Sequence, residues 1–245
     1  MAYFEVKELS LSIDKTEILK DISFEIEKNT ITLIAGMNGS GKSMLLKTIK
    51  GLEKPKSGEI VLDGEILKKS KERMRRIGLV FQDSSLQIVG STLRKDIAFG
   101  LENLGKDRAY IERECDRLLE LFSLEDKADL SPSILSGGEK RKLSILGVIA
   151  MDTDLLLLDE PFANLDYPST KIVINTLLML KEMGNTIIII SHEAEKFLKH
   201  TDKTIILKNG MIRAQGESKY MLSALRENDI YIPKNAEFEA LSWLE

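Results

Sequence analysis

Ile31-Thr32-Leu33-Ile34-Ala35-Gly36-Met37-Asn38-Gly39-Ser40-Gly41-Lys42-Ser43 is the stretch from which the rest of the chain is read. A short apolar run leads straight into a loop carrying Gly36, Gly39 and Gly41. Residues 43–50 then carry a helical pattern that Gly51 closes. The spacing is G-x-x-x-x-G-K-S between a strand and a helix, the context in which such a loop curls around phosphates. Glycines let successive backbone N–H groups, those of residues 36–44, converge on anionic oxygens, and the helix that follows adds its positive end. Lys42 is placed to reach the outer phosphates and Ser43 to offer a hydroxyl to Mg²⁺. As part of a loop, Lys42 is expected to be exposed.

Beyond this loop, two more apolar runs, 155–158 and 186–190, flank a helical stretch at 169–183. Continuous apolar strands alternating with helices predict an α/β fold whose mostly parallel sheet is covered on both faces. The beginning differs. Residues 3–13 and 18–26 alternate as half-buried antiparallel strands, and Asp63-Gly64 and Asn209-Gly210 mark two hairpins. Between about 84 and 150 helical periodicity dominates, which predicts an inserted helical subdomain. The domain is expected to span 3–225, with a tail at 226–245.

Two further motifs carry chemistry. Leu155-Leu156-Leu157-Leu158-Asp159-Glu160 ends an apolar strand in two acids. Carboxylates at the C-terminal edge of a parallel sheet stand where ligands bind. Asp159 is suited to hold Mg²⁺ through water, and Glu160 to polarise an attacking water. Ser136-Gly137-Gly138-Glu139 precedes a helical run starting near Lys140 and forms a second anion-binding helix start. One nucleotide cannot be wrapped by both loops of one chain if they face the same surface. Two copies placed head to tail solve this, each nucleotide lying between residues 36–43 of one chain and 136–138 of the other.

The order of Gly36–Ser43, Gln82, Leu135–Glu139, Asp159-Glu160, Asn164-Leu165-Asp166 and His192 resembles the nucleotide-binding subunit of ABC transporters over nearly the whole chain. The resemblance implies a P-loop NTPase (RecA-like) core and an ATP hydrolase that uses ATP and Mg²⁺. It implies that Gln82 touches Mg²⁺ or the water and senses a membrane partner. It also implies that Asp166 crosses a dimer interface and that His192 contacts the γ-phosphate. Three positions depart from the family pattern. Met44 replaces a threonine, leaving only its backbone N–H for the α-phosphate. Ile13 stands where an aromatic residue usually stacks on adenine. Asn164 replaces a small residue.

Residues 77–104, together with 130–138 and 146–151, are similar to the ATPase subunits of energy-coupling-factor importers of vitamins, cobalt or nickel. That resemblance implies transmembrane coupling and substrate-binding subunits as partners, and a place on the inner face of the cell membrane. The runner-up is a soluble assembly scaffold, as in iron–sulfur cluster biogenesis, which Ser136-Gly-Gly-Glu-Lys140 also fits. DNA-repair and translation-factor ATPases need long coiled coils or two ATPase domains, for which 245 residues leave no room. Homodimer and heterodimer both stay open.

Composition sets bounds on these readings. The net charge of −4 argues against a nucleic-acid partner, and the denser basic stretch at 68–76 reads as a solvated helix face. No segment approaches about 18 consecutive apolar residues, and no basic-then-apolar leader opens the chain, so a cytoplasmic protein is expected. The single Cys115 reads as an ordinary helix residue. In the tail, Phe238, Leu241 and Leu244 beside Trp243 suggest a short amphipathic helix over 236–244 that must dock, on its own domain, at a dimer interface or on a partner.

Overall fold

The computed structural model describes residues 2–244. Strands β1 (Phe4–Ile13), β2 (Thr16–Ile26), β4 (Ser57–Leu62) and β5 (Glu65–Ile66) form an antiparallel sheet in the order β2-β1-β4-β5. Its β4–β5 turn places Asp63 at φ 51° and Gly64 at φ 78°, the left-handed pair a tight hairpin needs. A second sheet runs β10-β9-β3-β8-β7-β6. Its strands are β3 (Ile31–Ala35), β6 (Ile77–Val80), β7 (Leu155–Asp159), β8 (Ile187–Ser191), β9 (Lys203–Lys208) and β10 (Met211–Glu217). All its neighbours pair in parallel except β10, which returns antiparallel beside β9.

Alternation along these strands fills two cores, one on each face. Leu33, Leu156, Leu158, Ile187 and Ile189 point to the side holding α3 (Leu93–Asn103), α5 (Gly137–Ile149) and α6 (Tyr167–Glu182). Ile34, Leu155, Leu157, Ile188 and Ile190 point toward the antiparallel sheet and α1 (Lys42–Lys50). Burying such a side chain stabilises by about 1.5–3 kcal/mol. Because both faces are covered, each strand reads as an unbroken apolar run.

Helices α3, α4 (Arg108–Leu121) and α5 make up the insertion, but α5 also packs on α6 and β6, so its last helix returns into the main core. Cys115 is a buried residue of α4, its thiol pushed up to about 11 by burial.

Two expectations need correction. The basic stretch is not merely a solvated face: in α2 (Ser70–Arg76), Arg73 is buried, and Arg76 bridges Glu65 at 2.6 Å and Asp154 at 2.7 Å. The tail is not an amphipathic helix. After α7 (Leu222–Glu227) it makes only a three-residue 3₁₀ turn, Phe238–Ala240. Its amides find partners across the chain instead. Trp243 N–H donates to Lys196 O, and Leu241 O accepts from Lys199 N–H, both at 3.0 Å, so the tail lies on its own domain. Nine residues hold no helix unaided, and these lateral bonds decide the geometry.

Candidate functional site

Sheet register assembles the site. Ala35 pairs with Ser191, Ile190 with Asp159, and Leu158 with Val80. The strands therefore end level, and the residues that follow them (Gly36, His192, Glu160 and Gln82) emerge at one edge. There Gln82, Glu160 and His192 line a cavity of about 390 Å³ together with Asn38, Gly39, Gly41, Lys42, Ser43, Met44 and Ile18.

The loop is shaped by close approach. A Cβ on Gly36 would fall 2.4 Å from Leu207 O and 2.6 Å from Ser40 Oγ, so only glycine fits. Gly41 takes φ 104° where α1 begins. Lys42 is only 5% exposed, contrary to the expectation of an exposed loop lysine. Its ammonium donates to Gly36 O at 2.6 Å and Met37 O at 3.2 Å and lies 3.5 Å from Glu160 Oε1. Burial pushes its pKa down, and the Glu160 carboxylate opposes this. Ser40 Oγ is buried without a partner, a polar atom suited to a phosphate group.

Ser43 Oγ donates to Asp159 Oδ1 at 3.2 Å. Burial raises the Asp159 pKa, and the Ser43 hydrogen bond works against it. These two oxygen donors fit a hard cation such as Mg²⁺, which takes few protein ligands and keeps phosphate and water oxygens; Gln82 lines the cavity with Ser43 and the neighbouring groove with Asp159. Glu160 adopts φ 46°, the left-handed region that costs a non-glycine residue roughly 1–2 kcal/mol. Its Oε2 accepts from the His192 amide at 3.2 Å and lies 3.0 Å from His192 Nδ1. These bonds to His192 hold the Glu160 conformation in place.

Ile13 sits at the exposed tip of β1 and does not line this cavity, while Ile18 of β2 does. Ser136 caps α5, accepting from Glu139 N at 3.2 Å while its own amide donates to Glu139 Oε2 at 2.9 Å. A hydrogen bond from Lys127 holds the Glu139 carboxyl below its usual range. Gly138 lets α5 press on α6, since a Cβ there would meet Ser169 Cα at 2.7 Å. Residues 136–139 contribute nothing to the cavity lining; Gly137 lines a neighbouring groove with Gln82, Asp159 and Asn164. Asp166 caps α6, accepting from Ser169 N at 3.0 Å.

One residue of this region is absent from the motif reading. Arg141 of α5 is 3% exposed, and its guanidinium forks onto the carbonyls of Phe81 and Gln82, anchoring the turn that presents Gln82. Burial lowers its pKa. Its signal in the sequence is a cation three and seven residues before Ser144 and Val148, on the buried face of the helix.

The profile of the ABC transporter family matches residues 19–163. The chain is 32% identical over 241 residues to the energy-coupling factor transporter ATP-binding protein EcfA of Methanothermobacter thermautotrophicus, covering 95% of this chain and 78% of that protein. It is 40% identical over 195 residues to EcfA1 of Thermotoga maritima, covering 80% and 74%. Among solved structures, cbiO1 of Clostridium perfringens, part of the ABC transporter complex cbiONQ, superposes with a TM-score of 0.84 at 30% identity, covering 95% of this chain and 96% of that one. Among the described residues no helix is long and apolar enough to cross a membrane.

Proposed function

Because this chain belongs to the ABC transporter family as an ATP-binding and ATP-hydrolysing subunit, we propose that it drives an energy-coupling-factor importer from the inner face of the membrane. Transmembrane and substrate-binding subunits would be its partners; the EcfA relatives carry the name of an energy-coupling factor transporter, and cbiO1 is part of the ABC transporter complex cbiONQ. ATP and Mg²⁺ are its substrate and metal. The observation that carries the site assignment is the register that brings Lys42, Ser43, Asp159, Glu160 and His192 to one sheet edge.

In this reading the amides of the 36–44 loop bind the phosphates. Lys42 exchanges its two carbonyl partners for outer-phosphate oxygens. Ser43 and Gln82, and Asp159 through water, would hold Mg²⁺, which would supply charge neutralisation on the phosphates. Glu160 takes a proton from the attacking water, with His192 orienting its carboxylate. Residues 136–139, outside the cavity of their own chain, complete the site of a second chain, with Asp166 at the same interface. Residues 3–225 form the ATPase domain and 226–245 its tail, which is laid on the domain over 226–244.

Purifying the tagged full-length chain from detergent extracts of its native membranes tests the importer. Co-elution of integral membrane proteins in stoichiometric amount is expected. Co-elution of soluble assembly proteins alone would replace the importer with a scaffold. Sedimentation of Lys42→Ala with ATP tests the sandwich: it should remain a monomer where the Glu160→Gln variant associates. Equal association of the two with ATP would overturn the phosphate-loop assignment.

A further inference from the structure

Lys196 belongs to no motif, yet it is 5% exposed and held from three sides. Glu193 Oε1 lies 2.5 Å from its ammonium, Phe162 O accepts at 3.5 Å, and the Trp243 ring centroid is 4.5 Å away. Glu193 lies three residues before Lys196 on the same segment, while Phe162 and Trp243 reach it from two others. Glu193 follows His192, Phe162 stands two residues past Glu160, and Trp243 belongs to the tail. Trp243 also packs against Tyr167, the first residue of α6 beside Asp166, with ring centroids 5.7 Å apart.

The tail is fixed in this place. Besides the two backbone bonds described above, Ser242 Oγ lies 2.7 Å from His200 Nε2, and Leu241 is buried in the main core. The placement matters because of where the sheet stops. The β7–β8 ladder ends at Asp159–Ile190, with one further bond from Glu160 N–H to Ile190 O. Past that point the Glu160 loop and the His192 segment share no ladder. The Glu160–His192 hydrogen bonds, the Phe162–Phe197 ring contact at 5.3 Å and the Lys196 ammonium join them instead.

We propose that Lys196 and Trp243 form a clamp that sets the Glu160 loop, the His192 segment and the start of α6 relative to one another, making Trp243 a positioning residue for hydrolysis. The inference rests on the assignment of Glu160 and His192 to hydrolysis. A buried ammonium leaves its charge-assisted partners only at high cost, and a ring over a desolvated cation adds to that hold. Glu160 Oε2 and His192 Nδ1 must stay within hydrogen-bond reach, and the clamp is what keeps their two segments in step.

The test uses the full-length chain with Trp243→Ala and Trp243→Phe. The alanine variant should lose roughly tenfold in kcat with KM for ATP within about twofold, since misplacement of catalytic groups lowers turnover and the phosphate loop is untouched. Phenylalanine, which keeps a ring over Lys196, should restore most of the loss. Hydrogen exchange supplies a readout independent of activity: amides near 162–167 and 193–200 should exchange faster together in Trp243→Ala, while 36–44 stay as in the parent. Faster exchange confined to 236–244, or a lowered melting temperature with kcat unchanged, would overturn the clamp. Glu160→Gln is assayed alongside. Should that variant hydrolyse ATP at the parental rate, the Glu160 assignment falls, and the exchange pattern alone decides the clamp.

Discussion

Replacing Glu160 by glutamine changes more than a proton acceptor, because the carboxylate is also the counter-ion of Lys42. The two charged groups lie 3.5 Å apart and are almost wholly buried. At an effective dielectric near 20 their gross attraction is about 5 kcal/mol. Removing one member of a buried pair typically costs about 3–5 kcal/mol. Here Lys42 keeps the Gly36 and Met37 carbonyls, and the amide oxygen of glutamine can still face it. A net loss of about 1–3 kcal/mol in the nucleotide-free chain follows, the remainder of that penalty after two retained hydrogen bonds. At about 3 °C per kcal/mol for a chain this size, the melting temperature should fall by roughly 3–9 °C.

ATP reverses the sign. Its phosphates offer Lys42 a new anionic partner, and in the parent they compete with Glu160 for it. Glu160→Gln should therefore bind ATP roughly tenfold more tightly, the equivalent of about 1.4 kcal/mol, and show a larger thermal shift with ATP than the parent. Hydrolysis should drop on the order of 10²–10⁴-fold, the usual worth of a positioned base. Thermal melts with and without ATP, a nucleotide titration and a phosphate-release assay measure all three. An unchanged melting temperature together with unchanged affinity would refute the Lys42–Glu160 coupling; unchanged hydrolysis would refute the base.

Asp159 is a carboxylate whose pKa burial raises, so its charged form destabilises the folded chain above that raised pKa and the penalty fades as pH falls through it. Asp159→Asn should melt higher than the parent at neutral pH, with the gap closing toward acid in a pH series of melts, while Mg²⁺-dependent hydrolysis is lost. Ile13 lies off the cavity and Ile18 lines it, so Ile13→Tyr should leave the nucleotide titration unchanged; tightening by about 1 kcal/mol, the scale of an aromatic contact, would bring adenine to the β1 tip instead. Arg141→Lys keeps a charge but serves one of the two carbonyls of Phe81 and Gln82. Turnover should fall roughly tenfold with little change in ATP affinity, a kcat effect without a KM effect.

What could be read beforehand was whatever local chemistry enforces. The loop after β3 needs glycine at 36 because a backbone carbonyl and a serine crowd its Cβ, so it is written in the sequence as glycine. The strands 155–159 and 187–191 are apolar on both faces, and that pattern predicts a doubly covered sheet without any knowledge of pairing. Lys42 departs from the exposure that its place beside a glycine loop suggests, since it heads α1 and turns inward. Its ammonium is enclosed by the loop's own Gly36 and Met37 carbonyls and by Glu160, a residue far away in sequence that the register brings within 3.5 Å.

Arg141, Lys196 and Trp243 share a different reason for their silence. Each is a cation or ring whose partners are backbone carbonyls or groups on distant segments, and a carbonyl has no letter in the sequence. The tail shows the consequence. Its apolar spacing is compatible with a helix, but nine residues cannot hold one alone, and the amides of Trp243 and Lys199 take lateral partners. The residues that perform chemistry must present particular side chains in a particular order, and so they form motifs. The residues that hold those side chains in register need only fill a place, so many residue types in many positions can do it. The motif residues of this site are accordingly legible from the sequence, while its support, from Arg141 beneath Gln82 to Trp243 over Lys196, becomes visible only when the chain is folded.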